Sequence, residues 1–371
     1  MLITSRNPAW SGIARPLATA VWTPDESADF LARRLPGHVS SHDPAALRDL
    51  AEALGGLPLA LEQAAGFLDA TGMAAAEYTA QVRGHDSASL PLDEGRAATG
   101  YERSVLATLS MAFARLGEDA AQLLRLLAFC APDPVPERLF REQPEHLPPA
   151  LAEAARLPLR WEKAVAALRR YGLAERAQIE APDKMPGQSN ARKEPALQVH
   201  RLTQEVARHR LAADPRADAG VLVRLLRQAL PSDPSLPMHW PRYASLAPHV
   251  LQLDRLSAQV AVDRHRLSWL LDRTASYFLH GPALYTAARK SFERALELNQ
   301  QDLGDEHPGT LAAMNNLAVT LWHADQCAEA IELMNRTVDA FAARLGVDPP
   351  HTRSRLNILG QMRAANDASL R

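Results

Sequence analysis

An eight-residue block that recurs at a fixed distance near the C-terminal end limits the fold more than any other feature of this chain. Leu303-Gly304-Asp305-Glu306-His307-Pro308-Gly309-Thr310 returns as Leu345-Gly346-Val347-Asp348-Pro349-Pro350-His351-Thr352, an offset of 345 − 303 = 42. The same offset sets Asn315 against Asn357 and Leu317 against Leu359. Read backwards, it sets Leu321 against Leu279, Ala330 against Ala288 and Met334 against Phe292, with no gap. Each copy reads as two helices. The first carries Asn-x-Leu-Ala, and the second carries small and apolar positions such as Ala330, Ile331 and Met334. A unit of this size cannot bury its apolar face alone, so the copies must stack into an array. Stacked helix pairs leave one concave face, and such faces receive peptides or protein segments. About two and a half copies are present, the last without its second helix.

The array accounts for only the last third of a 371-residue chain, which is long enough for two to four domains. Acidic and basic residues nearly balance, leaving a net charge of −2. That argues against a nucleic acid or a membrane surface as partner, since both call for a basic excess. Cys130 and Cys327 lie far apart and form no paired motif, which fits a reducing compartment. No stretch approaches the ~18 uninterrupted apolar residues of a membrane span. The first residues lack the charged and apolar regions of a signal peptide. Histidines are scattered with no metal-ligand spacing. The expectation is a cytoplasmic protein with no membrane contact.

Upstream of the array the pattern is again mostly helical. Leu2-Ile3-Thr4 and the run Leu17 to Trp22 read as strands, the tail of an α/β unit entered part-way. Thr23-Pro24-Asp25-Glu26 is a capping box with proline at the first helical position, predicting a helix to about Leu35. Asp43-Pro44 opens a second helix, which Gly55-Gly56 stops; Pro58 opens a third, and Ala74 to Val82 a fourth. Residues 84–100 read as a linker. Beyond it, helices at 105–116, 120–129 and 161–170 precede a hairpin of 172–176 with 196–199 and a further helix from Leu202. That order fits a winged-helix arrangement.

Two resemblances follow from these residues. The repeat is similar to the tetratricopeptide repeats of kinesin light chains, through Leu303-Gly304, His307-Pro308-Gly309-Thr310-Leu311 and Asn315-Asn316-Leu317-Ala318. The second turn departs from it, because Pro349-Pro350-His351-Thr352 has lost the His-Pro order. The front end resembles the NB-ARC class of STAND signalling ATPases. Leu2-Ile3-Thr4-Ser5-Arg6 looks like that family's sensor strand, and Gly56-Leu57-Pro58-Leu59-Ala60-Leu61 matches its lid segment residue for residue. Val199-His200-Arg201 sits where the family carries Met-His-Asp, with Val and Arg replacing the outer residues.

The resemblance implies a mainly α protein: a residual α/β edge of a nucleotide-binding domain (1–35), a helical lid (36–84), a linker (85–100), a winged-helix domain (101–215), a helical connector (216–263) and a tetratricopeptide superhelix (264–371). It implies ADP or ATP in an intact parent, contacted by Arg6, Pro58 and His200, and a parent that is a slow ATPase. No Gly-x-x-x-x-Gly-Lys-Ser/Thr occurs in the sequence, so phosphoryl transfer lacks its phosphate cradle. The chain as given is therefore read as N-terminally truncated, non-catalytic and without tightly bound nucleotide. Asn315, Asn316 and Asn357 are the candidate partner-binding residues of the concave face. The expected function is a signal-responsive scaffold whose nucleotide state controls partner binding by the repeats. Two alternatives stay open: a winged-helix transcriptional regulator, for which Arg156, Arg160, Lys163, Arg169 and Arg170 would supply the charge, and a nucleotide-independent repeat adaptor. A homo-oligomer stays open as well.

Overall fold

The computed structural model describes residues 21–35, 43–84, 100–181, 193–211, 213–345 and 350–369. It divides into two compact units. The first takes in the described parts of residues 1–115 with Arg170–Gly172, and the second the rest.

The first unit contains five helices among its described residues: α1 (Pro24–Arg34), α2 (Pro44–Ala53), α3 (Pro58–Thr71), α4 (Ala75–Gly84) and α5 (Gly100–Phe113). Their starts follow local chemistry. The Thr23 hydroxyl accepts from Glu26 N, and the Glu26 carboxylate accepts from Thr23 N at 2.8 Å, the reciprocal box that satisfies two orphan donors. Asp43 caps α2 by accepting from Ala45 N. Gly55 and Gly56 both sit at φ +66°, where a side chain is strained. The core is Leu31, Leu47, Leu50, Leu54, Leu61, Phe67, Leu68 and Tyr78, with the Phe67 and Tyr78 rings 5.1 Å apart. Helix α5, read from sequence as the start of the 101–215 domain, packs instead on α3 and α4.

The second unit opens with a small domain built in the order helix, strand, helices, hairpin. It comprises α6 (Glu118–Leu127), β1 (Val135–Pro136), the single-turn α7 (Arg138–Arg141), α8 (Pro149–Arg156), α9 (Pro158–Arg170), β2 (Glu175–Glu180), β3 (Lys193–Gln198) and α10 (Arg201–Arg210). The three strands are antiparallel in the order β1-β3-β2, with Val135 opposite Leu197 and Arg176 opposite Leu197 on the other side. Pro195 lies in the central strand, a place proline rarely occupies. Its carbonyl accepts from Glu137 N at 3.0 Å, so its missing N–H falls on the β1 side and leaves the β2 ladder whole.

Glu137 is the polar centre of this domain. Its carboxylate is almost wholly buried and accepts from Trp161 Nε1 at 2.7 Å and from Arg176 Nε at 2.8 Å. Burial of a charge is tolerable only when it is paired and hydrogen-bonded in this way. Arg176 also bridges to Glu162, whose carboxyl it holds below the usual range. At the far end of α6, Gln204 on α10 donates to the carbonyls of Leu127 (2.9 Å) and Cys130 (3.1 Å). It thereby satisfies helix-end acceptors that α6 itself cannot.

Next come α11 (Pro215–Ala229) and α12 (Trp240–Leu256), then the repeat helices α13 (Arg264–His280), α14 (Tyr285–Leu303), α15 (Pro308–His323), α16 (Cys327–Leu345) and α17 (Pro350–Ser369). The 42-residue offset is visible in the backbone. Tyr285 and Cys327 open α14 and α16, Leu303 and Leu345 close them, and Pro308 and Pro350 open α15 and α17. Ala283 (φ 54°) and Asp325 (φ 58°), the two left-handed residues other than glycine among those described, are also 42 apart.

Helix α13 departs from that register. Its burial pattern from Leu267 to His280 matches Thr310 to His323 at an offset of 43, differing only at Ser276 against Val319. Leu321 therefore pairs with buried Phe278, and not with half-buried Leu279 as the gapless reading expects. The turn between α13 and α14 absorbs the difference: four residues, 281–284, stand where 324–326 supply three.

Candidate functional site

The repeated turn explains its own residues. Gly304 at φ +84° ends α14, a conformation that glycine adopts without cost. His307 then caps α15, its Nδ1 accepting from Gly309 N at 3.1 Å, with Pro308 at the first helical position. The Thr310 hydroxyl donates to the Gly304 carbonyl at 2.7 Å, and Asn299 of α14 donates to the Gly309 carbonyl at 3.3 Å. The turn thus fixes the angle at which α15 leaves α14. Small residues then let helices approach: Ala288, Ala295, Ala318 and Ala330 have no exposed surface.

The first helices of successive copies meet through polar side chains. Asn316 Nδ2 donates to Asp272 Oδ1 of α13 at 3.0 Å, and Asn315 Nδ2 donates to Asn316 Oδ1 at 3.3 Å. The other Asp272 oxygen takes two bonds from Arg273, the shorter at 2.7 Å, while Arg273 Nη1 reaches the Ser232 carbonyl at 3.1 Å. Asn315 and Asn316 are half-buried, and Asn357 on α17 is exposed. The structure therefore joins Asn315 and Asn316 in one network. Its anchor is Asp272, a residue that sequence reading missed. The signal was present, because at an offset of 43 Asp272 is the counterpart of Asn315. At an offset of 42 that place falls to Arg273.

Among the residues singled out for nucleotide, Arg6 lies outside the described residues. Pro58 is exposed at the first position of α3, in the first unit. His200, in the second unit, caps α10, its Nδ1 accepting from Leu202 N at 3.2 Å. That bond places the ring proton on Nε2. Burial and the adjacent Arg201 lower its pKa below the ordinary histidine value. Of the arginines named for nucleic acid, Arg160 is committed to Asp119 at 2.6 Å and to Glu153. Among the described residues, no cluster of three or more His, Cys, Asp and Glu could hold a metal ion. No helix there is long and apolar enough to cross a membrane.

Comparison with known proteins agrees with the repeat geometry. Residues 283–343 match the tetratricopeptide repeat family, which spans α14, α15 and most of α16. Residues 111–216 match a domain of unknown function, DUF7779, which covers the end of α5, the whole three-stranded domain and the start of α11. No curated protein matches the chain. The repeats give the chain a protein-interaction role, carried on a mainly helical fold.

Proposed function

We propose that the chain is a signal-responsive scaffold of the NB-ARC/STAND type, in which the face shared by α13, α15 and α17 receives a segment of a protein partner. The observation that carries the binding half is the run Asp272–Asn316–Asn315. It sets a carboxylate of α13 beside two amides of α15 on the first helices, where a stacked array is open to an extended chain. Panning a displayed random-peptide library against the purified chain tests it. Peptides should be recovered, and the double substitution Asp272→Ala with Asn316→Ala should abolish their binding while the fold melts within a few degrees of wild type. Peptides that bind the double variant as tightly as wild type would move the site elsewhere.

The regulatory half is that ADP or ATP in the intact protein biases two arrangements, only one of which leaves the repeats free. This requires different nucleotide affinities in the two. Its support is the Gly56–Leu61 segment at the start of α3, the winged-helix-like order of α6 to β3, and the geometry of His200. With Nδ1 occupied by its cap, the Nε2–H is left to donate to a phosphate oxygen. Titration of the intact parent with ADP and ATP separates this half from the first. Binding that Pro58→Ala and His200→Ala both weaken supports it. Binding indifferent to both overturns those assignments, and no binding favours the nucleotide-independent adaptor. The transcriptional regulator is the weaker reading, because Arg160, one of the five cations named for it, is spent on Asp119 and Glu153.

A further inference from the structure

The stretch read from sequence as a connector is held on both sides by side chains that cannot let go cheaply. Toward the three-stranded domain, the Asp218 carboxylate of α11 is 3% exposed and pairs with Arg125 of α6 at 3.0 Å. Gln143, buried just after α7, donates to the Leu225 carbonyl of α11 at 3.1 Å. His249 of α12 is wholly buried, and its Nδ1 accepts from Ala131 N, in the turn before β1, at 3.2 Å. Arg242 of α12 meets Glu142 at 3.0 Å.

Toward the repeats, Arg227 of α11 lies over the Trp269 ring of α13, 4.6 Å from its centre. Tyr243 of α12 and Tyr277 of α13 stack at 5.5 Å. Asp254 at the end of α12 pairs with Arg294 of α14 at 2.9 Å. Parting α11 and α12 from α6 would strand a buried carboxylate, a buried imidazole and a buried amide, each needing a partner or water.

We infer that α11 and α12 are a splint joining the repeats to the three-stranded domain, so that the described residues of 116–169 and 173–323 open as one cooperative body and strain at the repeat face is felt in α6 and α9. This holds whether or not the partner and nucleotide readings stand. The alternative is an array that frays alone on a flexible connector.

Hydrogen exchange on the full chain, resolved by peptide, decides between them. Leu123→Ala removes a fully buried side chain of α6. It should speed exchange in α6 by about 30-fold or more, and in α13 by the same factor. Leu271→Ala in α13 should in turn speed α6. Should Leu123→Ala fail to fold, the milder Val165→Ala on α9 takes its place. In a background carrying Asp218→Ala and His249→Ala, the α6 lesion should no longer reach α13, the non-additivity expected when those links carry the coupling. Unchanged α13 exchange in Leu123→Ala overturns the inference. So does coupling that survives in full after both links are cut.

Discussion

Gly56 tolerates no side chain. A Cβ placed on it would lie 2.1 Å from the Trp22 carbonyl oxygen, whereas one on Gly55, at the same φ, meets nothing within 4 Å. Gly55→Ala should therefore cost only about 1 kcal/mol of left-handed strain. Gly56→Ala should cost roughly 3 kcal/mol or more, because it also breaks the bond from Trp22 N to the Gly56 carbonyl. Urea unfolding of the two variants checks this, and equal midpoints would mean that Trp22 does not dock there. His249 makes a second prediction. Burial depresses its pKa to about 4, against an ordinary value of 6.5. The folded state thus resists protonation, and its stability is intact above pH 6.5 and lost as pH falls toward 4. The group should cost at most about 3 kcal/mol over that window. His249→Gln keeps an acceptor for Ala131 N without titrating, so its stability should fall less steeply than wild type between pH 6.5 and 4. Parallel curves would show that the imidazole is not sequestered.

At the level of elements, the helix starts were legible because they are chemical. Thr23, Asp43 and the prolines of α1, α2 and α3 act within one turn of chain. Strand β1 was not, because Val135-Pro136 is extended only through its pairing with Leu197 and Ala196 of a distant strand. The hairpin was displaced for a related reason. Gly172 at φ +64° belongs to the turn after α9, so β2 starts at Glu175, and Pro195 hid the first half of β3. Histidine as a helix cap, at His200 and His307, is a choice that propensity does not suggest. Repeat register gives a direct test. Ala330 is fully buried at the start of α16, and Glu329 beside it is exposed. Ala330→Arg should cost several kcal/mol through overpacking and a buried charge. Glu329→Arg should lose a few tenths, from the charge reversal in the first helical turn. Thermal melts that do not separate the two would mean that α16 is rotated from the register described.

For the molecule as a whole, composition makes the outer side of α17 polar. Leu311, Ala318 and Leu321 are buried in α15, and their counterparts 42 residues on are Arg353, Gly360 and Arg363, all exposed. The inner side keeps Leu359 and Met362, packed on Ala318, Met334 and Val338. Helix α17 shows no large exposed hydrophobic side chain among its described residues. A solvated outer face is what a terminal repeat helix needs to stay soluble. Restoring the inner-copy residues with Arg353→Leu and Arg363→Leu should make the chain self-associate at micromolar concentration, read as a rise in mass by sedimentation. An unchanged mass would mean that these arginines are not what keeps copies apart.

The one-residue slip in the turn after α13 has a bearing on engineering. A helix advances about 100° per residue, following from its 3.6-residue turn, so copying α13 by a strict 42-residue template would swing Arg273 to the place of Asn315 and carry Asp272 out of line. The module that tiles without phase error begins at Tyr285 and closes at Gln326: second helix, capped turn, first helix, left-handed turn. Lengthening the protein by inserting copies of 285–326 should preserve the amide row. Cutting a 42-residue window from the α13–α14 pair would scramble it at every join.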